Sequence, residues 1–127
     1  AAARQLGLKP TGHASRGGSG APGTSPSNLH LEGGTLSVAE LISDIDYGVY
    51  IHELSGQGVN IVTGDYSRGA AGFLIEKGEI TGPVSEFTIA GILKDMFRTL
   101  PPANSLDCIR STTVPTLLID GMMVASA

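Results

Sequence analysis

The stretch Ala70-Ala-Gly-Phe-Leu-Ile-Glu-Lys-Gly-Glu-Ile-Thr81 decides the fold. Apolar arms lie on either side of Lys77-Gly78, and a two-residue connection between such arms predicts a β-hairpin. Lys is an imperfect first turn residue, because the tight turn asks for positive φ and Gly meets that demand more cheaply. Downstream, Val84-Ser-Glu-Phe-Thr-Ile-Ala90 alternates with the period of a half-buried strand. Upstream, Val49-Tyr-Ile-His-Glu-Leu54 is β-rich, and Val59-Asn-Ile-Val62 predicts a further strand after a Gly-containing turn. Near the end, Thr116-Leu-Leu-Ile119 and Met122-Met-Val-Ala125 flank Asp120-Gly121, one of the strongest short-range hairpin signals.

Helices are fewer and short. In Leu36-Ser-Val-Ala-Glu-Leu41, Ser37 can cap the N–H of Glu40 while Glu40 reaches back, so a helix starts at Val38. Val38, Leu41, Ile42 and Ile45 then form one apolar stripe that ends near Gly48. Ala1 to Leu8 has helix propensity cut off by Gly7 and Pro10, and Gly91 to Leu100 changes to helical spacing before Pro101-Pro102. Residues 11–34 shift to Gly, Ser, Pro and Thr and read as a long mobile loop. The sum is an α+β, β-dominated chain. About six short strands form an antiparallel sheet curled into a barrel-like C-terminal domain with two or three short helices. Residues 1–35 are the helix end and loop, and 36–127 the barrel-like domain.

The bulk numbers bound the function. The 127 residues are 41% hydrophobic but 5% aromatic, without Trp, so aliphatic side chains must fill one core. A net charge of -4 argues against nucleic acid, whose binding rests on Lys and Arg neutralising phosphates. The lone Cys108 allows no intrachain disulfide and fits a reducing, cytoplasmic setting. No apolar run approaches the roughly 20 residues that span a bilayer, so a membrane is not an expected partner. The start lacks an initiator Met and a signal-peptide pattern, which reads as part of a longer polypeptide.

Several residues could carry chemistry. His52-Glu53 opens like a zinc-protease helix, but no His follows four or five residues on, and Ser55-Gly56 breaks a helix. Gly18-Ser-Gly-Ala-Pro-Gly23 matches a dinucleotide-binding glycine pattern without the strand and helix it needs. Asp65-Tyr-Ser-Arg-Gly69 gathers an acid, a phenol, a hydroxyl and a base. The expected structural roles are Asp65 bonding its own turn and Arg68 pairing with a carboxylate. His13 and His30 flank the loop as solvated or end-capping residues. Cys108, with no His near it in sequence, reads as a small hydrophobe.

In order along the chain, several strings resemble the C-terminal domain of TldE/PmbA-type subunits of the TldD/TldE zinc-metalloprotease family. They are Gly7-Leu-Lys-Pro-Thr-Gly-His-Ala-Ser15, Gly56-Gln-Gly-Val-Asn-Ile-Val-Thr-Gly-Asp-Tyr-Ser-Arg-Gly-Ala-Ala-Gly-Phe73, Thr88-Ile-Ala-Gly-Ile-Leu-Lys-Asp-Met96 and Asp120-Gly-Met-Met-Val-Ala125. Lys77, Ile92 and Ser105 stand where that family commonly has Asn, Asn and Asp. The resemblance implies a noncatalytic, cytoplasmic subunit of a TldD/TldE peptidase acting on short or unfolded peptides, in peptide-antibiotic maturation and antitoxin degradation. Zinc is then held by a TldD-type partner through a His-Glu-x-x-x-His helix and a Cys. This chain holds no cofactor of its own, and any such helix of its own polypeptide lies before residue 1. The alternative is a non-proteolytic module regulating DNA gyrase or an antitoxin. Two motifs become candidate interface or peptide-contact residues: Asn60, Gly64, Asp65, Tyr66, Ser67, Arg68 and Gly69, then Thr88, Gly91, Lys94 and Asp95. Strand edges also leave a homodimer open.

Overall fold

A computed structural model describes residues 2–126. The elements are α1 (Ala2–Gln5), β1 (Ala14–Ser15), β2 (Gly23–Thr24), β3 (Leu29–His30), α2 (Val38–Ser43), β4 (Tyr47–Ser55), β5 (Asp65–Glu76), β6 (Glu79–Ile92), α3 (Leu93–Met96), β7 (Thr112–Thr113) and β8 (Met123–Ser126). Strands dominate and the helices are short, in keeping with the β-dominated α+β reading. Residues 11–32 are solvent-exposed throughout. They pair β1 with β2 antiparallel among themselves, and β3 with β7 parallel at residues 112–113. No helix among the described residues is long and apolar enough to cross a membrane.

The main sheet runs β4-β5-β6-β8, all neighbours antiparallel. It is open. The expected barrel-like closure does not occur, since β4 and β8 end the order without pairing to each other. Four strands, one of them the four-residue β8, are too few to bring the edges of the sheet round to each other.

Lys77 and Gly78 make the predicted turn, with φ of 51° and 79°, both in the left-handed region. Their N–H groups donate to Asp46 O and Ile45 O, each at 2.8 Å. That seats the turn on the chain that links α2 to β4. A Cβ at Gly78 would lie 2.6 Å from Ser43 O, so glycine is required by space as well as by φ. The arms are longer than the sequence pattern suggested: β6 runs through Pro83 without a break and absorbs the predicted Val84–Ala90 strand.

Both β5 partners are bulged at the same level. Register passes from Ile51↔Gly72 to Glu53↔Ala71, leaving His52 unpaired, and from Ala70↔Phe87 to Gly72↔Val84, setting Ser85 and Glu86 against Ala71. Glu86 takes φ 58° there, as an added residue in a bulge must bend the strand. Gly72 sits in the middle of this level, where a Cβ would fall 2.0 Å from Tyr50 O.

Three other readings are corrected. Val59–Val62 is no strand: Val59 makes a single bridge to Tyr66, and the chain turns at 61–63. Gly91 and Ile92 stay extended, because they pair with Tyr66 and Asp65, so the helix expected from Gly91 shrinks to Leu93–Met96. Asp120-Gly121 bends the chain, with Gly121 at φ 74°, but its arms part. Met123–Ser126 joins β6, while Ala103 N–H donates to Thr116 O and Leu118 N–H to Pro101 O. Each arm has found a longer-range partner.

The predicted capping box forms. Ser37 N–H donates to Glu40 Oε2 at 2.7 Å, and Glu40 N–H donates to Ser37 Oγ at 3.2 Å. Leu41 and Ile42 are buried. A second cluster, Ala70, Phe87 and Ile89, is joined by Val49, Ile51, Tyr66, Val84 and Met122. The molecule nevertheless exposes 9619 Å². A folded monomer of 13.0 kDa exposes about 6,300 Å². The open sheet and the extended residues 11–32 account for the difference in kind.

Three outcomes follow from these contacts. Gly72→Ala should lower unfolding free energy by at least about 2 kcal/mol in a urea titration, because backbone must move to admit one methyl. Ser37→Ala should cost about 1 kcal/mol through the lost cap. The Ser37 N–H and hydroxyl hold the Glu40 carboxyl below its ordinary value of 4.5. A lowered folded-state value means that the gain is present above about pH 4.5 and lost as pH falls through the folded value. The melting-temperature advantage over Glu40→Gln should therefore vanish in acid.

Candidate functional site

The first motif folds as the tip and first strand of a hairpin. After β4, Gly56 and Gln57 bulge out, and residues 58–60 resume pairing: Ser67 N–H donates to Gly58 O at 2.6 Å and Asn60 N–H to Asp65 O at 2.9 Å. A Cβ at Gly58 would sit 1.7 Å from Ser67 O, so only glycine fits this approach. At the tip, Asn60 Oδ1 accepts from Val62 N–H at 3.0 Å and Thr63 N–H at 3.3 Å, while Gly64 N–H donates to Asn60 O at 2.8 Å. Gly64 has φ 85°, and Thr63 Oγ1 donates to the Asp65 carboxylate. Asp65 thus bonds within its own turn. Ile61 and Val62 stand 88% and 89% exposed at this tip.

The second motif lies beside the first. Asp65, Tyr66, Ser67 and Gly69 pair with Ile92, Gly91, Ala90 and Thr88 on β6, and Leu93 N–H donates to Gly64 O at 2.7 Å. Strand alternation puts Tyr66, Arg68 and Ala70 on the face of the core cluster and Asp65, Ser67 and Gly69 on the other. Gly91 lies under Met96 and Met122, whose atoms come within 3.3–3.6 Å of where its Cβ would be. Lys94 and Asp95 face solvent, and Asp95 pairs only with exposed Arg98 at 3.4 Å. An ion pair so exposed contributes little.

Arg68 corrects an expectation. Its Nε donates to Ser55 O at 3.1 Å, and among the described residues it meets no carboxylate. The guanidinium instead closes the gap left where Gly56 and Gln57 bulge away from β5.

The histidines are dispersed. His13 shares a 3.0 Å hydrogen bond with Thr11 Oγ1 ahead of β1, His30 lies in β3, and His52 sits in the β4 bulge beside an open depression bordered by Pro83 and Val84. Cys108 is exposed, not the small buried hydrophobe expected. Among the described residues no group of three or more His, Cys, Asp or Glu could hold a metal. These donors do not fit a zinc centre, which takes about three protein ligands with an open position. Ser67 is exposed, with no histidine on the strand segments that flank it.

Sequence reasoning overlooked Ser55, Gly58 and Gly72. Glycine inside a strand pattern marks a bulge or a close backbone approach, and that signal was available at Gly58 and Gly72.

Comparison with known proteins places this geometry. The PmbA/TldA metallopeptidase C-terminal domain matches residues 1–126. Metalloprotease PmbA of Escherichia coli O157:H7 is 44% identical over 124 residues, 97% of this chain and 26% of that protein. The PmbA homologue of Haemophilus influenzae is 41% identical over 96% of this chain and 26% of its own length. A crystal structure of a candidate modulator of a DNA gyrase from Thermotoga maritima superposes with a TM-score of 0.79. It is 36% identical and covers 97% of this chain and 28% of that one. The chain therefore spans about a quarter of the length of these relatives. It belongs to the PmbA/TldA metallopeptidase C-terminal domain family.

Proposed function

We propose that this chain is the C-terminal domain of a noncatalytic TldE/PmbA-type subunit, working with a zinc-bearing TldD-type partner to cleave short or unfolded peptides in the cytoplasm. The observation that carries the reading is the dispersal of His13, His30, His52 and Cys108 within a metallopeptidase-family domain. A zinc ion held by the partner would supply the Lewis acidity for peptide hydrolysis. The two motifs here act as a scaffold: a tip locked by Asn60 and Gly64, tied through Leu93 to α3, and fixed by close approaches at Gly58 and Gly72. Rigid elements hold a neighbouring site in place better than loops do. No nucleic acid and no membrane enters this reading.

A regulatory reading is favoured by one observation, the likeness to a candidate gyrase modulator. One experiment separates the two. The full-length polypeptide carrying this chain is tested for peptide hydrolysis alone, with a TldD-type subunit, and for capture of gyrase. Hydrolysis only when both subunits are present is expected. Hydrolysis by this polypeptide alone, or stable gyrase capture without the TldD-type subunit, would count against the proposal.

A further inference from the structure

We infer that Asp120-Gly121 is a self-modification site, at which the Asp120 carboxyl closes on the Gly121 backbone nitrogen and reopens as a β-linked isoaspartate. Gly121 N–H donates to Asp120 Oδ1 at 2.7 Å, so the attacking nitrogen already lies against the carboxyl group that it attacks. Reacting groups held in contact face a much smaller entropic barrier than groups that must first meet. Gly121 has φ 74°, and among the described residues nothing beyond its chain neighbours lies within 4 Å of where its Cβ would be. With no side chain on that residue, neither the approach of the nitrogen nor the succinimide ring that results is obstructed. Both residues are exposed, so water reaches the ring. Of the aspartates in the chain, only Asp120 precedes a glycine. Asp65, by contrast, precedes Tyr66 within a strand ladder, and Thr63 Oγ1 holds its carboxylate.

The reaction balances with water alone. From the protonated carboxyl, a bond forms between the Gly121 nitrogen and Asp120 Cγ, the Cγ–OH bond breaks, and the proton on nitrogen leaves with that hydroxyl as water. Water then adds to either imide carbonyl. Opening at Cγ restores aspartate, whereas opening at the Asp120 main-chain carbonyl leaves the chain running through Cγ, one carbon longer. Both reacting groups belong to this chain, and no partner supplies an atom. The added carbon falls between two anchored arms: Leu118 N–H donates to Pro101 O at 3.0 Å, and Met123 pairs with Ala90. The four residues of β8 are the shorter anchor. Isomerisation therefore loosens β8 from β6, and with it Met122, which packs on the Ala70, Phe87 and Ile89 cluster.

The test incubates the full-length polypeptide for weeks at neutral pH and body temperature, then digests it with Asp-N protease, which cuts before aspartate but not before isoaspartate. A peptide that spans Ile119-Asp120 uncut, at unchanged mass, should accumulate with time, together with a smaller amount of a species lighter by one water. Gly121→Ala, which places a methyl beside the attacking nitrogen, should lower the yield of uncut peptide about tenfold. Amides of Met123–Ser126 should exchange hydrogen faster in aged than in fresh protein, while Asp120→Glu, whose longer side chain must close a larger ring, keeps its rates on ageing. Complete cleavage before Asp120 after incubation would overturn the inference, as would an equal yield of uncut peptide from Gly121→Ala. Unchanged exchange of Met123–Ser126 in the isomerised protein would overturn the loosening of β8.

Discussion

The architecture depends on how closely two backbones approach the central strand β5. At Gly72 a methyl group would fall 2.0 Å from Tyr50 O, and at Gly58 it would fall 1.7 Å from Ser67 O. Neither glycine needs an unusual φ. What each supplies is the missing Cβ. With it, β4 can bulge at His52 and again at Gly56-Gln57 and still follow β5 from Glu76 to Asp65. The bulges in turn decide what faces outward. They set His52 outside the ladder, leave Ser55 O to Arg68, and bring Asn60 to the tip.

That constraint explains how the two sequence motifs become one structural unit. Gly64 carries the chain through the tip, its carbonyl accepts from Leu93, and the strand that follows pairs with the strand from Thr88 to Ile92. The polar cluster Asp65-Tyr-Ser-Arg68 is divided by strand alternation between two faces, so its four functional groups do not converge on one point. Asp65 serves its own turn, Tyr66 packs on the core, and Ser67 faces water. Such a division suits a scaffold better than a reaction centre. Its stiffness comes from paired backbone.

Features set by residues close in sequence were legible from the sequence. The Ser37–Glu40 box joins residues three apart, the Lys77-Gly78 turn closes between Glu76 and Glu79, and both form as read. What failed was decided at long range. Asp120-Gly121 carries a hairpin signal, but β6 and the 101–103 segment compete for its two arms and win. Gly91 and Ile92 have helical spacing, yet Tyr66 and Asp65 hold them extended. Barrel closure was inferred from strand count, and joining the predicted Val84–Ala90 strand to the hairpin arm left too few strands. Of the candidate residues, Asp65 kept its expected partner while Arg68 did not, because a bulge that no local pattern announces placed Ser55 O beside it.

The central claim is that these residues shape a peptidase without ligating its metal. His13, His30, His52 and Cys108 are all exposed, so replacing them leaves the core untouched. The direct measurement is zinc per complex, by elemental analysis, for the assembled pair carrying His13→Gln, His30→Gln, His52→Gln and Cys108→Ser together. The account predicts the same zinc content as in the unaltered pair. Loss of zinc on making these four substitutions would contradict it.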